Sequence, residues 1–474
     1  MTARIDTRPL PIILLERWWR FPVYLGLFLF LRWAYLRPPL EGLSIEGFRS
    51  LAVFATCLVL WVFHLLPLPL TGLFALVAPP LMGVMTPKKA FSFFGSEPVF
   101  FILGVFILAA ALLKSGLSNR LALWLLKKGG SSPRRLLFFV MLTSTLASFF
   151  MSAHAVAAMI FPLVMIIARP LDDLPHGPSM KPALLLSMAW GCVIGSGATM
   201  LGGGRVPLSI GILQENTGLT LTFLEWTTAV LPMVALLFFL GSWMIPLFFP
   251  SKISSVAPAQ EAISRAVREQ GRMTFEEKFL SLLFSVALIA WIFLGARVGM
   301  ATISLLVVVL LFMFRVVEWK KLEENVQWGI VLMYGGAIGL GSIVSSTGAG
   351  DWLVQQALPY ITSSWHLLAL FSIVSILLTQ SVSNSAVAAV LVPVGISISG
   401  PLGLDPRLVI LTIAFSSGLD FSLPIGTPAI ALAYSTGHLR FKKLLPPAAL
   451  MILASWIIFL LIAKFWWPVV GMKI

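Results

Sequence analysis

Serine, asparagine and serine stand together at Ser383-Asn384-Ser385 in a tract that is otherwise apolar, and the run continues through Ala386-Val387-Ala388-Ala389 to Pro393. The same outline occurs almost half a chain length earlier, as Ser152-Ala153-His154-Ala155-Val156-Ala157-Ala158 closed by Pro162. Unpaired polar groups in hydrocarbon cost several kcal/mol, so such breaks must line a cavity or a bound solute. Their chemistry is that of ion binding. Hydroxyls, amides and the carbonyls of broken helices suit a hard cation, while free N–H groups at helix N-termini suit an anion. Two charges lie at similar depth: Arg205, after Gly202-Gly203-Gly204, and Asp420, after Ser416-Ser417-Gly418-Leu419. A guanidinium at the centre of a membrane helix costs about 2.5–3.5 kcal/mol. Arg205 therefore either holds a carboxylate or sulfate bidentately, as a built-in cation, or pairs with Asp420. Asp420 in turn could strengthen a cation site, carry a proton or pair with Arg205. His154 could donate to an anion or titrate near neutrality, or simply pack.

Composition dictates what must position these groups. Of 474 residues, 58% are hydrophobic and 11% charged, with a mean hydropathy of +0.96. A water-soluble domain has roughly 25% charged residues, so the sequence reads as an all-α polytopic membrane protein. The net charge of +14 sits in short loops between apolar runs, which points to anionic lipid and not to nucleic acid. Cys57 and Cys192 lie in apolar tracts and read as packed thiols. No CxxC, HExxH or Cys/His cluster argues for a metal site other than one for Na+. His64, His176, His366 and His438 lack metal spacing and read as structural. The segment before residue 20 does not resemble a cleaved signal, because its apolar run is broken by Glu16 and Arg17.

Apolar runs of about 20 residues give spans near 21–36, 50–66, 68–85, 98–126 and 223–249, and again near 279–294, 300–314, 326–358 and 445–466. Between them, tracts 136–167 and 367–398 contain the two serine breaks and read as re-entrant hairpins. Tracts 182–213 and 408–434 are interrupted by Gly195-Ser196-Gly197-Ala198-Thr199 and by Ile425-Gly426-Thr427-Pro428, and read as unwound helices. The division is an N-terminal segment and first span over 1–49, a first repeat over 50–250, a charged cytoplasmic linker or surface helix over 251–278, and a second repeat over 279–474. That makes about eleven transmembrane helices plus two hairpins. An odd number of crossings separates the hairpins, so they enter from opposite sides and the repeats are inverted. Gly104 and Ser115-Gly116 are answered at one spacing by Gly336 and Thr347-Gly348. Glycines 335, 336, 339 and 341 read as close helix packing. Arg4, Arg8, Arg17 and Arg20 predict a cytoplasmic N-terminus in a bacterial inner membrane or its equivalent.

Phe149-Phe150-Met151-Ser152-x-x-Ala155-x-Ala157-Ala158-Met159-x-x-Pro162, followed in order by Leu423-Pro424-Ile425-Gly426-Thr427-Pro428, resembles the divalent anion/sodium symporters (DASS) from about residue 101 to 437. The resemblance implies homodimers in which a transport domain slides against a scaffold by an elevator motion, carrying dicarboxylates, citrate or sulfate, usually with sodium. It implies substrate contacts at Ser383, Asn384, Ser385, Thr427 and Pro428, while in the first half the chain's own polar groups Ser152, His154, Thr199 and Arg205 are the expected contacts. It also implies a cation site at Thr379, Asn384 and Asp420, with a weaker first site at Ser148, Ser152 and Gly197. The first half departs from the family pattern. Ala153 stands for the Asn of the Ser-Asn-Thr tip, His154 for its Thr, and Gly202-Gly203-Gly204-Arg205 for Gly-Thr-Pro-Pro, so the first tip lacks its amide.

The reading is a secondary active transporter for a small divalent anion, coupled to Na+ and needing no cofactor, with proton coupling as the alternative. A cation/proton antiporter or metalloid efflux permease of the same superfamily is a rival, with Asp420 carrying the proton. An intramembrane enzyme using His154 or Asp420 as base is a rival of another class, opposed by the absence of any nucleophile–base motif.

Overall fold

A computed structural model describes residues 18–357, 359, 361 and 363–472. The arginines at 4, 8 and 17 and part of the loop after residue 357 lie outside the described residues. Among the described residues the regular structure is helical. The first half opens with α1 (Arg20–Leu36), α2 (Ile45–Val62), α3 (Leu68–Leu81), α4 (Glu97–Lys114) and α5 (Leu117–Lys127). There follow α6 (Pro133–Ala147) and α7 (Ala153–Ala168), then α8 (Lys181–Gly195) and α9 (Arg205–Thr217), and the long α10 (Phe223–Phe248). After α11 (Ala257–Glu269) come α12 (Phe275–Phe293), α13 (Met300–Met313), α14 (Trp328–Ser346) and α15 (Ala349–Ala357). The order then repeats: α16 (Ser364–Thr379) and α17 (Asn384–Ser399), α18 (Pro406–Ser416) and α19 (Pro428–Ser435), and the long α20 (Phe441–Phe465).

The breaks fall where local chemistry puts them. Ser152 caps α7 by accepting from the Ala155 N–H at 3.3 Å, the ordinary role of a serine at an N-cap. Gly202-Gly203-Gly204 ends the gap before α9, and Thr427-Pro428 starts α19 with proline in the first turn, where its missing N–H is harmless. The expected single span over 98–126 is two helices, because Gly116 adopts φ +80° between α4 and α5. The run over 326–358 divides in the same way at Gly348, φ +74°, so the two matched glycines make the same left-handed turn.

Six stretches among the described helices are long and apolar enough to cross a membrane by length and composition. One is α7 extended to Leu171, so length alone does not separate a re-entrant arm from a crossing.

Packing interleaves the halves. Helix α9 lies on α14, α17 and α18, while α19 lies on α7 and α8. Indole N–H groups fasten the exchange: Trp190 Nε1 donates to Phe421 O at 3.2 Å, and Trp466 Nε1 to Thr228 O at 2.8 Å. Elsewhere α3 lies against α14 at glycine contacts, since a Cβ at Gly336 would sit 1.9 Å from the Gly72 carbonyl oxygen. The charged linker contains a helix, α11, docked on the body. Ala259 and Ile263 of α11 are buried, and Arg120 pairs with Glu277 at 3.1 Å and donates to the Gln270, Gly271 and Arg272 carbonyls.

Candidate functional site

The interleaving brings four helix N-termini to one cavity of about 480 Å³. Its lining includes Ala153 and His154 at the start of α7, Arg205 at the start of α9, Asn384 and Ser385 at the start of α17, and Pro428 at the start of α19. Each of these ends presents N–H groups without intrahelical partners and the positive pole of its helix. Four poles on one space favour an anion strongly. Ser152, Ser383 and Thr427 also line the cavity, and His154 is exposed to it. Eight of the nine expected substrate residues thus meet, and Thr199 is the exception. Its hydroxyl donates to the Phe149 carbonyl and accepts from Leu201 N–H, so it ties the break after α8 to the first tip and stays off the cavity wall.

Behind the second tip, oxygens gather. Thr379 Oγ1 lies 2.8 Å from Asn384 Oδ1 and 2.5 Å from the Ser417 carbonyl oxygen. One hydroxyl proton cannot satisfy both acceptors, which leaves an open lone pair. Both carboxylate oxygens of Asp420 are buried without a hydrogen-bond partner. A Cβ at Gly426 would sit 2.8 Å from Asp420 Oδ2 and 2.5 Å from the Thr379 carbonyl oxygen, so these groups face one small space. Hydroxyl, amide, carbonyl and carboxylate oxygens at the C-terminal ends of α16 and α18 form a donor set that fits a hard monovalent cation. A bound cation or a proton would each satisfy the unpartnered carboxylate.

The first half is different. Ser148 and Gly197 do not line the cavity, and Ser148 Oγ is buried without a partner. The Gly197 carbonyl is taken by Trp226 Nε1 at 3.1 Å. The guanidinium of Arg205 occupies this region: Nε donates to Ala414 O at 2.8 Å and Nη2 to Ser196 Oγ at 3.3 Å. Ala414 belongs to the last turn of α18, whose carbonyls lack helical partners, so the guanidinium sits at the negative pole of that helix. Gly418 gives it room, since a Cβ at that position would lie 1.9 Å from Nη2. With Asp420 unpartnered, the Arg205–Asp420 ion pair is not formed.

Three participants escaped the sequence reading. Gln327, just before α14, lines the cavity and donates from Nε2 to Ser152 Oγ at 3.1 Å. His64, read as structural, lines it from the turn after α2, where its φ is +49°. Neither stands in a motif. Gln380 gave a signal, a lone amide beside Thr379 in an apolar run. Its Oε1 accepts from Phe421 N, Ser422 N and Ser422 Oγ, and its Nε2 donates to Ile376 and Leu419 carbonyls, which pins the loop before α19.

Comparison with characterised proteins agrees with this architecture. Residues 15–473 match the family described as the sodium:sulfate symporter transmembrane region. Relatives named sodium-dependent dicarboxylate transporter SdcS include one from Staphylococcus saprophyticus, 27% identical over 471 residues, covering 94% of this chain and 90% of that protein. Another, from Staphylococcus aureus, is 26% identical over 459 residues, covering 91% and 88%. Among solved structures, the Alcanivorax borkumensis YdaH transporter has a TM-score of 0.57 at 17% identity, covering 83% of this chain and 91% of its own. Neisseria gonorrhoeae MtrF, described among antimetabolite efflux pumps, has a TM-score of 0.56 at 17% identity, covering 91% and 97%. These two likenesses speak to the fold alone.

Proposed function

Because this chain belongs to the sodium:sulfate symporter family, within the divalent anion/sodium symporters, we propose that it is a secondary active transporter of a small dicarboxylate, driven by Na+. The observation that carries the reading is the convergence of four helix N-termini on one cavity, with a cation-ready oxygen cluster directly behind it. The anion's carboxylates lie against the N-termini of α7 and α17 and accept from the Ser152, Ser383, Ser385 and Thr427 hydroxyls and the Asn384 amide N–H. One Na+ is held by Thr379, Asn384, Asp420 and the Ser417 carbonyl. Its charge offsets that of the anion and stiffens the second tip, so each ligand raises the affinity for the other.

The first site takes no sodium in this reading. Arg205 supplies the positive charge there without leaving the protein, and one charge fewer moves with each substrate. The chain works as a homodimer with inverted repeats over 50–250 and 279–474. The paired tips ride with α8–α10 and α18–α20 as a mobile body against the remaining helices. The N-terminus lies on the cytoplasmic side of a bacterial inner membrane or its equivalent.

Uptake of labelled succinate into proteoliposomes, with an inward Na+ gradient or with K+ replacing Na+, tests the proposal. Accumulation is expected with Na+ alone; uptake indifferent to Na+ at every pH would defeat it. Proton coupling is the second reading, favoured by the same unpartnered Asp420 carboxylate. It requires accumulation under a pH gradient in Na+-free medium.

A further inference from the structure

A groove of about 560 Å³ lies between the start of α6 and the end of α10, away from the central cavity. Its upper rim carries Arg134 and Arg135, both exposed, and its wall is Phe138, Trp243, Pro246 and Leu247. Neither arginine forms an ion pair with a described carboxylate. The hydrogen bond that Arg135 makes is a long one, 3.4 Å from Nη2 to the Lys128 carbonyl oxygen, which leaves most of the fork unused. Lys128 itself stands over the Trp124 ring at 3.9 Å, as a cation does at a membrane interface. Below the rim, α10 presents an uncovered apolar stripe of Leu236, Phe239, Trp243 and Leu247, each between 48% and 62% exposed.

We propose that this groove is a binding site for an anionic phospholipid. Its two ends call for two chemistries in one molecule. The guanidiniums match a phosphate diester bidentately, and the stripe matches an acyl chain running along α10. A soluble phosphate would leave the Phe138, Trp243 and Leu247 wall uncovered. A zwitterionic lipid would bring its ammonium against two guanidiniums. Basic pockets between helices at a membrane face are a recurrent setting for such lipids. The lipid rests on α6, whose far end is the first tip, so it sits on the arm that reaches the central cavity.

The test uses the full chain in uncharged detergent, with phosphatidylglycerol, phosphatidylcholine of the same chains, and glycerol phosphate as probes. Native mass spectrometry counts retained lipid and a thermal melt reads stabilisation. Phosphatidylglycerol is expected to be retained and to raise the melting temperature, and R134Q/R135Q to weaken its apparent affinity at least tenfold. Equal retention of phosphatidylcholine, the same shift with glycerol phosphate, or an unchanged affinity in R134Q/R135Q would overturn the proposal. Should that variant not fold, Trp243→Ala replaces it. That change keeps both charges and removes wall, and undiminished retention of phosphatidylglycerol would equally count against the site.

Discussion

Arg205 and Asp420 are two buried charges at the centre of the fold, and no bond joins them. Asp420 sits with both oxygens unpartnered beside Thr379 and Asn384. Replacing it with Asn removes the negative charge while keeping the shape. The expected outcome for Asp420→Asn is at least a tenfold rise in the Na+ concentration needed for half-maximal uptake or stabilisation, about 1.4 kcal/mol. Arg205 is packed against Gly418 so closely that any side chain there collides with the guanidinium. Gly418→Ala should therefore cost about 1–3 kcal/mol of apparent stability, as overpacking does, and should weaken anion binding when measured by thermal shift. Arg205→Ala should abolish stabilisation by dicarboxylate; stabilisation equal to that of the unaltered chain would make Arg205 scaffold only. The importance of both residues was legible from their cost in an apolar tract. Their lack of a mutual bond was not, because it depends on which carbonyl the guanidinium reaches across the halves.

At the scale of elements, short-range chemistry governs where helices stop. The serine breaks and the glycine run before α9 could be placed from residue type and spacing, whereas the turns at Gly116 and Gly348 could not, because each glycine lies inside an apolar run long enough to read as one span. What holds a broken helix in shape is less local. Gln380 satisfies the Phe421 and Ser422 N–H groups from a different helix. Gln380→Leu would strand those donors at about 1–3 kcal/mol each, and denaturant or thermal melts should register the loss together with reduced uptake. Helices α3 and α14 meet at Gly72 and Gly336, where added carbon has no space. Gly336→Ala should force them apart and lower the melting temperature, while Gly130→Ala, whose Cβ meets nothing within 4 Å but whose φ is +62°, should cost only the modest backbone strain.

The whole molecule is a multi-pass integral membrane protein whose central cavity is walled by two halves and by residues from outside the paired tips. The contact from Gln327 Nε2 to Ser152 Oγ crosses between α14 and the first tip. If the tips move as a body against α14, a mercury bridge between Ser152→Cys and Gln327→Cys should stop uptake, and release by excess thiol should restore it. Native Cys57 and Cys192 are buried and would not compete. Full uptake in the bridged protein would rule out that movement. Residue type and order were enough for the helical class, the membrane setting, the two matched breaks and most of the polar groups at the cavity. Those features follow from solvation cost and local backbone preference, which act within a few residues. Only the folded chain could decide that Thr199 is spent on a backbone carbonyl, that His64 and Gln327 reach the cavity, and that Arg205 ends on the last turn of α18. Each of those depends on contacts between segments far apart in sequence, and no local pattern encodes which distant carbonyl or hydroxyl will be the neighbour.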